Sequence, residues 1–399
     1  MSPLRIILVT RALRALGDGF LAVLVPAYLL ELGFDAVAAG ILGTATLIGS
    51  AAMTLGVGMI ANRFGRRALL SAAALLMAAT GSGFLLTQEL GPLLLVALLG
   101  TFNPTTGDVS VFLPLEQATL AQFTPDRQRT AQFARTSLIG ALAGALGALA
   151  AGLPDGLAAW DWMGRAEALR AMIALYGLLG LAAFFLYRRL PKENPTAHQP
   201  ASPLGPSKAI VLRLAALFSL DAFAGGLIVQ SLLALWLFER FGLSLAAAGA
   251  FFFTTGVLSA FSYPLAVRIA HRIGLINTMV FTHLPAGLLL IGAALAPNLG
   301  LALGLLALRA LLSQMDVPTR ASYVMAVVTP AERGAAASLT ALPRSLAAAL
   351  GPALAGWMMG ALALAAPLVI CGGLKILYDL LLYAQFRSHR PPEEASPGA

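Results

Sequence analysis

A chain of 399 residues that is 59% hydrophobic and only 11% charged, with a mean hydropathy of +0.84, lies far from soluble domains, in which roughly a quarter of residues are charged. It reads as an integral membrane protein whose single cysteine excludes an internal disulfide or a cysteine cluster for zinc or iron–sulfur, and whose four scattered histidines make no His-rich metal site. The formal net charge of +8 has no meaning for partners until its basic residues are located.

About twelve apolar stretches approach the ~20 residues needed to cross a hydrocarbon core. In chain order they fall at 6–30, 37–61, 68–87, 92–122, 130–153, 168–187, 210–238, 244–267, 275–296, 299–328, 334–360 and 363–386. The first is long enough to span and is followed by another, so it reads as a retained anchor rather than a secretory signal. The fourth and tenth are long enough to tilt or bend. Basic residues gather at alternate ends: Arg63, Arg66 and Arg67; Arg127 and Arg129; Arg188, Arg189, Lys192 and Lys208; Arg268 and Arg272; Arg333; Arg387 and Arg390. The positive-inside rule then places both termini in the cytoplasm, and the expected location is the inner (plasma) membrane. Topology explains the +8 balance without a nucleic-acid partner.

Between the sixth and seventh stretches, "PKENPTAHQPASPLGPSK" is rich in proline and polar residues and reads as a cytoplasmic linker. The expected organisation is an N-terminal six-helix bundle over 1–190, the linker over 191–208, and a C-terminal six-helix bundle with a short cytoplasmic tail over 209–399. The two parts resemble each other. "FTPDR" from Phe123 recurs as "VTPAER" from Val328, "ARTSL" around Arg135 as "PRSL" around Arg344, and "LGFDAVAAG" from Leu32 as "FGLSLAAAG" from Phe241. The fold class read from these patterns is an all-α integral membrane protein with twelve transmembrane helices in two pseudo-symmetric six-helix halves. Such duplicated bundles place a binding site near the midplane.

Between the second and third stretches, "GMIANRFGRRALL", Gly58 to Leu70, resembles the signature loop of the major facilitator superfamily, G-x-L-x-D-R-x-G-R-R-x-x-L. Gly58, Arg63, Gly65, Arg66 and Arg67 match that loop, and "VRIAHRIGLIN" from Val267 is its degenerate counterpart. The physical logic is local: glycine permits a tight helix exit, while arginines stay in water and meet carboxylates or helix C-termini. The resemblance covers nearly the whole chain and implies secondary transport by alternating access, with the efflux-type branch as the expected affiliation. Two departures stand out. The acidic loop position is Asn62, and the fourth stretch lacks the arginine of many proton-driven efflux members, offering Asn103 and Asp108 instead. An Arg-plus-Gln arrangement resembling that motif appears in the tenth stretch as Arg309 and Gln314.

Carboxylates within spans cost roughly 2.5–3.5 kcal/mol at the helix centre, so they face protein or a water-filled cavity. Asp18, Asp108, Glu116, Asp221 and Asp316 are the candidates for proton coupling or substrate binding. Arg14 precedes Asp18 by four residues, Arg320 follows Asp316 by four, and Lys375 precedes Asp379 by four, so each of these acids has an intrahelical ion pair as its structural alternative. Asp108, Glu116 and Asp221 have none. Glu116 forms with Asp108 a stepped pair suited to proton relay or to binding a cationic group, or it meets Arg135 or a loop arginine as a cytoplasmic-side gate. Arg14, Asn103, Arg135, Gln230, Arg309, Gln314, Arg320 and Arg344 complete the candidate cavity and gate residues.

No G-x-x-x-x-G-K-[ST] phosphate loop is present in the sequence, so direct ATP drive is not expected. The expected protein is a non-enzymatic, monomeric secondary transporter in the lipid bilayer, without cofactor and driven by the proton gradient. Its expected activity is export of a small amphipathic drug-like compound or metabolite. An importer or facilitator of a small organic anion is the alternative within the same class; a non-transporting receptor on the same scaffold is the alternative outside it.

Overall fold

The computed structural model describes residues 2–60, 64–105, 110–124, 126–191, 205–329 and 332–388. Asn62, Arg63, Asp108 and linker residues 192–204 lie outside the described residues. Among those described, all regular structure is helical. The first helices are α1 (Pro3–Glu31), α2 (Ala36–Ile60), α3 (Arg66–Leu86), α4 (Leu90–Leu99), α5 (Phe112–Gln122), α6 (Asp126–Ala150), α7 (Leu153–Ala159) and α8 (Arg165–Tyr187). They are followed by α9 (Lys208–Gly226), α10 (Gln230–Phe241), α11 (Leu245–Ile273), α12 (Leu275–Ala294), α13 (Leu299–Leu312), α14 (Asp316–Val327), α15 (Arg333–Ala361) and α16 (Ala366–Phe386). Lipid leaves a backbone no outside partner, so helices that satisfy their own amides are what such apolar stretches form.

Local chemistry sets the helix ends. Ser2 accepts a hydrogen bond from the Arg5 N–H and Pro3 opens the first turn, a standard start for α1. Gly242 closes α10 in the left-handed conformation, φ +62°, which costs glycine nothing and most residues a great deal.

Ten segments among the described residues are helical, long and apolar enough to cross a membrane. The fourth and eleventh expected stretches are not among the ten. The fourth is interrupted: α4 stops at Leu99, and the chain is non-helical through Gly100 to Thr105 before α5 begins. The Thr101 N–H donates to the Thr80 hydroxyl, and the Asn103 carboxamide accepts from both the N–H and the hydroxyl of Thr105, so side chains serve the backbone that the helix break frees. The eleventh corresponds to α15, which is long but rich in alanine and glycine and carries Arg344.

The chain divides into two compact units. The first comprises Met1–His198 with Val229–Gly256, so α10 and the start of α11 belong to it. Within it α1 lies against α6, and α3 against α8, at close range. A Cβ on Gly19 would sit 2.1 Å from the Gly144 carbonyl oxygen, and one on Gly147 would sit 2.1 Å from that of Leu16. Small residues at these points replace a hydrophobic driving force that lipid cannot supply. Its core includes Ile6, Leu70, Ala74, Phe112, Leu115 and Tyr187.

The second unit comprises Gln199–Ile228 with Val257–Ala399. Here α9 crosses α15 through the same device, since a Cβ on Gly226 would meet the Ala348 carbonyl oxygen at 2.2 Å and the Gly351 Cα at 3.1 Å. Gly226 and Gly351 correspond to Gly19 and Gly144 within the offset of the sequence repeat. Val211, Phe218, Met279, Tyr323, Tyr378 and Phe386 anchor the core of this unit.

Candidate functional site

Four helices of the second unit, α9, α12, α14 and α16, each bring charged or titratable side chains to one buried chain of contacts. The Lys375 Nζ donates to Asp221 Oδ1 at 2.6 Å, and it lies 3.4 Å from His283 Nε2. His283 Nδ1 lies 3.1 Å from Asp379 Oδ1, so the neutral imidazole is satisfied with Nδ1–H donating to Asp379 and Nε2 accepting from Lys375. The Arg320 Nη2 lies 3.3 Å from Asp221 Oδ2 and also donates to Asp316 one turn before it. Every member is buried. Charges so placed are held by one another, because an isolated ion in lipid or apolar protein is costly.

The sum of these charges matters chemically. Three carboxylates, Asp221, Asp316 and Asp379, face two fixed cations, Lys375 and Arg320, which leaves one negative charge in excess while His283 is neutral. One proton balances the chain. Hydrogen-bonded routes connect every group that would carry it from Asp379 to Asp221.

A second buried group lies in the first unit. Arg14 on α1 places Nη2 2.7 Å from Glu116 Oε1 on α5, and the Tyr187 hydroxyl at the end of α8 donates to the same oxygen at 2.7 Å. The Arg14 guanidinium rests 3.8 Å above the centre of the Phe112 ring. Asp18, one turn further along α1, is half-buried and interacts electrostatically with Arg14 and Arg11.

The expected intrahelical pairs fare differently. Arg320–Asp316 forms as the spacing implies. Arg14 pairs with Glu116 rather than Asp18, and Lys375 pairs with Asp221 rather than Asp379, because a partner on a neighbouring helix satisfies each in a dry interior. Glu116 therefore meets Arg14, while Arg135 lies on an exposed part of α6. Asn103 turns the chain after α4. Gln230 opens α10, Gln314 sits in the turn between α13 and α14, and Arg309 is half-buried near the end of α13. Arg344 is exposed on α15. Among the described residues no ion pair is formed by Arg309 or Arg344.

In the signature loop, Gly65 precedes α3, and the two arginines beside it serve helix ends. Arg66 Nη1 donates to the Ala118 carbonyl and the Gln122 side chain on α5, and Arg67 Nη1 to the Leu190 carbonyl just beyond α8. Cations there complement the negative ends of helix dipoles. Gly58 lies in α2 with open space beside it, and Asn62 and Arg63 lie outside the described residues.

His283, Asp379, Lys375 and Tyr187 were not among the residues the sequence selected. Their spacing by four residues makes Lys375 and Asp379 an intrahelical pair in the sequence reading. A lysine and a histidine inside apolar spans were nonetheless legible signals, since both are rare there and face protein or water.

No group of three or more His, Cys, Asp or Glu residues arranged to hold a metal ion occurs among the described residues.

Comparison with known proteins agrees with this architecture. An uncharacterized membrane protein of Saccharomyces cerevisiae is 22% identical, over 87% of this chain and 86% of its own. A crystal structure of a mutant of the nucleoside transporter NupG superposes with a TM-score of 0.78 at 15% identity, covering 96% of this chain and 100% of that one. The crystal structure of a D-xylose-proton symporter gives 0.75 at 16% identity, covering 99% and 100%. Both likenesses are likenesses of fold. Residues 7–315 match the description "Major Facilitator Superfamily", which is more than half of the sequence, and with the signature loop between α2 and α3 this multi-pass membrane protein belongs to that superfamily.

Proposed function

We propose that the protein is a proton-coupled secondary active transporter working by alternating access, with twelve membrane-crossing helices in two six-helix halves. The observation that carries this reading is the buried chain Asp379–His283–Lys375–Asp221–Arg320–Asp316, in which three carboxylates meet two fixed cations and a neutral histidine. Taking up one proton changes that chain from charged to neutral. A neutral site and a charged site favour different degrees of hydration, and differential stabilisation of two states is what coupling requires.

In this reading His283 is the group that passes a proton between Asp379 and the Asp221–Lys375 pair. Glu116, held by Arg14 and Tyr187, and Asp108, outside the described residues, are the corresponding carboxylates of the first half. Export of a small amphipathic compound is the proposed direction, drawn from the resemblance in the signature loop. The proton gradient is the energy source, no cofactor takes part, and both termini are cytoplasmic in an inner-membrane protein that acts as a monomer.

Proteoliposomes containing an entrapped pH dye test this proposal. Gradients of amphipathic anions, cations and neutral compounds are imposed in turn. A transporter of this kind moves protons with at least one of them, and does not when Asp221 is replaced by Asn. Substrate movement without protons would make it a facilitator, and binding without movement a receptor.

A further inference from the structure

Three buried donor atoms of the second unit, on Arg320 and Tyr378, lack partners, and an exposed arginine lies beside them. Arg320 uses Nη2 toward Asp316 and Asp221, but its Nε and Nη1 are buried without an acceptor. The Tyr378 hydroxyl on α16 is likewise buried and unpartnered, with the residue 1% exposed. Arg344 on α15 is exposed and makes no ion pair among the described residues. These three are neighbours: Arg344 interacts electrostatically with Arg320, Asp221 and Tyr378, and Tyr378 with both arginines.

Leaving a buried donor unsatisfied costs about 1–3 kcal/mol, so convergent orphans on one site point to a ligand that completes them. Two guanidinium groups near one another also repel. Adding Arg344 and the half-buried Arg309 to the buried chain turns its excess negative charge into an excess positive one. Arginines within membrane helices generally face protein or a water-filled cavity, and an accessible Arg344 on α15 suits the latter.

We propose that Arg344, Arg320 and Tyr378 form a subsite for an anionic group of the transported molecule, a carboxylate, phosphate or sulfonate. The inference rests on the transport reading above and names its substrate class. Planar guanidinium forks match such oxyanions with two parallel hydrogen bonds, and the phenol supplies a third donor. Arg320 links the subsite to proton coupling, because the side chain that meets the substrate also holds Asp221 and Asp316. A cationic substrate would face two like charges there.

Five probes with a common phenyl body test this in thermal-shift assays on the full chain in neutral detergent: benzoate, phenyl phosphate, benzenesulfonate, benzamide and benzyltrimethylammonium. At least one of the three anions should raise the unfolding temperature saturably, and the amide and ammonium probes should not. Arg344→Gln, which removes an exposed side chain without an ion pair, should weaken that anion's apparent affinity about tenfold or more. Tyr378→Phe should weaken it less. Phosphatidylglycerol supplied instead of the probes should give no shift through Arg344. The proposal is overturned if no anion shifts the transition, if benzamide or the ammonium probe shifts it equally, if Arg344→Gln binds as wild type, or if the lipid alone gives an Arg344-dependent shift. The transport reading fails separately. Anion binding without proton movement in proteoliposomes removes proton coupling and keeps the subsite, whereas proton movement driven by the ammonium probe alone does the reverse.

Discussion

Lys375 Nζ lies 2.6 Å from Asp221 Oδ1, a buried ion pair that joins α16 to α9. Removing one member of such a pair leaves an uncompensated buried charge, at a cost of about 3–5 kcal/mol. Lys375→Met should fall at the low end of that range, because Arg320 still faces Asp221. The double variant Lys375→Met/Asp221→Asn should recover part of the loss. Thermal unfolding in detergent reads both, and a double variant whose loss equals the sum of the single losses would show that the two groups are not coupled.

Glu116→Gln should destabilise the first unit by a comparable amount, about 3 kcal/mol, since Arg14 loses its buried counter-charge and Tyr187 loses a charged acceptor. Glu116→Gln combined with Arg14→Met should be milder than Glu116→Gln alone. A thermal transition unchanged in Glu116→Gln would mean that Arg14 finds an equivalent partner, with Asp18 one turn away the first candidate.

Close helix crossings make a sharper mutational contrast. Gly19→Ala and Gly226→Ala each drive a methyl into a carbonyl oxygen of the facing helix, at 2.1 Å and 2.2 Å before relaxation. Overpacking of this kind typically costs about 1–3 kcal/mol. Gly304→Ala, with nothing within 4 Å of the added methyl, should be neutral or slightly stabilising through helix propensity. Equal unfolding temperatures across the three variants would contradict the packing described for α1 with α6 and for α9 with α15.

At the N-terminus of α15, outside the spans, the Glu332 carboxylate accepts hydrogen bonds from the Thr329 and Ser207 hydroxyls and from the Gly205 and Ser207 N–H groups. These donors, the Thr329 hydroxyl foremost, hold its pKa down to about 2 from an ordinary 4.5. Because the folded value is depressed, the stabilisation is fully present above the ordinary value and is lost as pH falls through the folded one. Amide-exchange protection at Gly205 and Ser207, corrected for intrinsic rates, should thus be constant from neutrality to about pH 5 and decline below it. Glu332→Gln should flatten that decline, and an unchanged pH profile in this variant would remove the assigned role.

Much of the fold was legible because its signals are one-dimensional. Twenty-residue apolar runs, alternating basic ends and the loop around Gly65 are read without knowing which helices touch. Gly19 and Gly226, which the sequence did not single out, stand 207 residues apart, close to the spacing of the repeated motifs. Arg14 precedes the first of these glycines by five residues and Asp221 precedes the second by five, so corresponding places in the repeat carry opposite charges. Each nevertheless finds a partner on a helix at a matching distance along the chain, α5 for Arg14 and α14 for Asp221, although the closest partner of Asp221 is Lys375 on α16. The pairings themselves were not legible. Spacing by four residues selected Arg14–Asp18 and Lys375–Asp379, but a periodicity rule sees only one helix, whereas a desolvated charge takes its partner from whichever neighbouring helix offers one. His283 was passed over because four scattered histidines do not suggest a cluster, and the groups that make it important, Asp379, Lys375 and Asp221, come from two other helices.

The central claim is that one proton on the Asp221 chain drives transport, and proton flux measured in proteoliposomes tests it most directly. With an entrapped pH dye and an imposed benzenesulfonate gradient, wild-type protein should move protons as the anion moves. Asp221→Asn should exchange labelled benzenesulfonate across the membrane while moving no protons, because an amide imitates the protonated acid but cannot release its proton. Proton movement by Asp221→Asn at the wild-type rate would contradict the account.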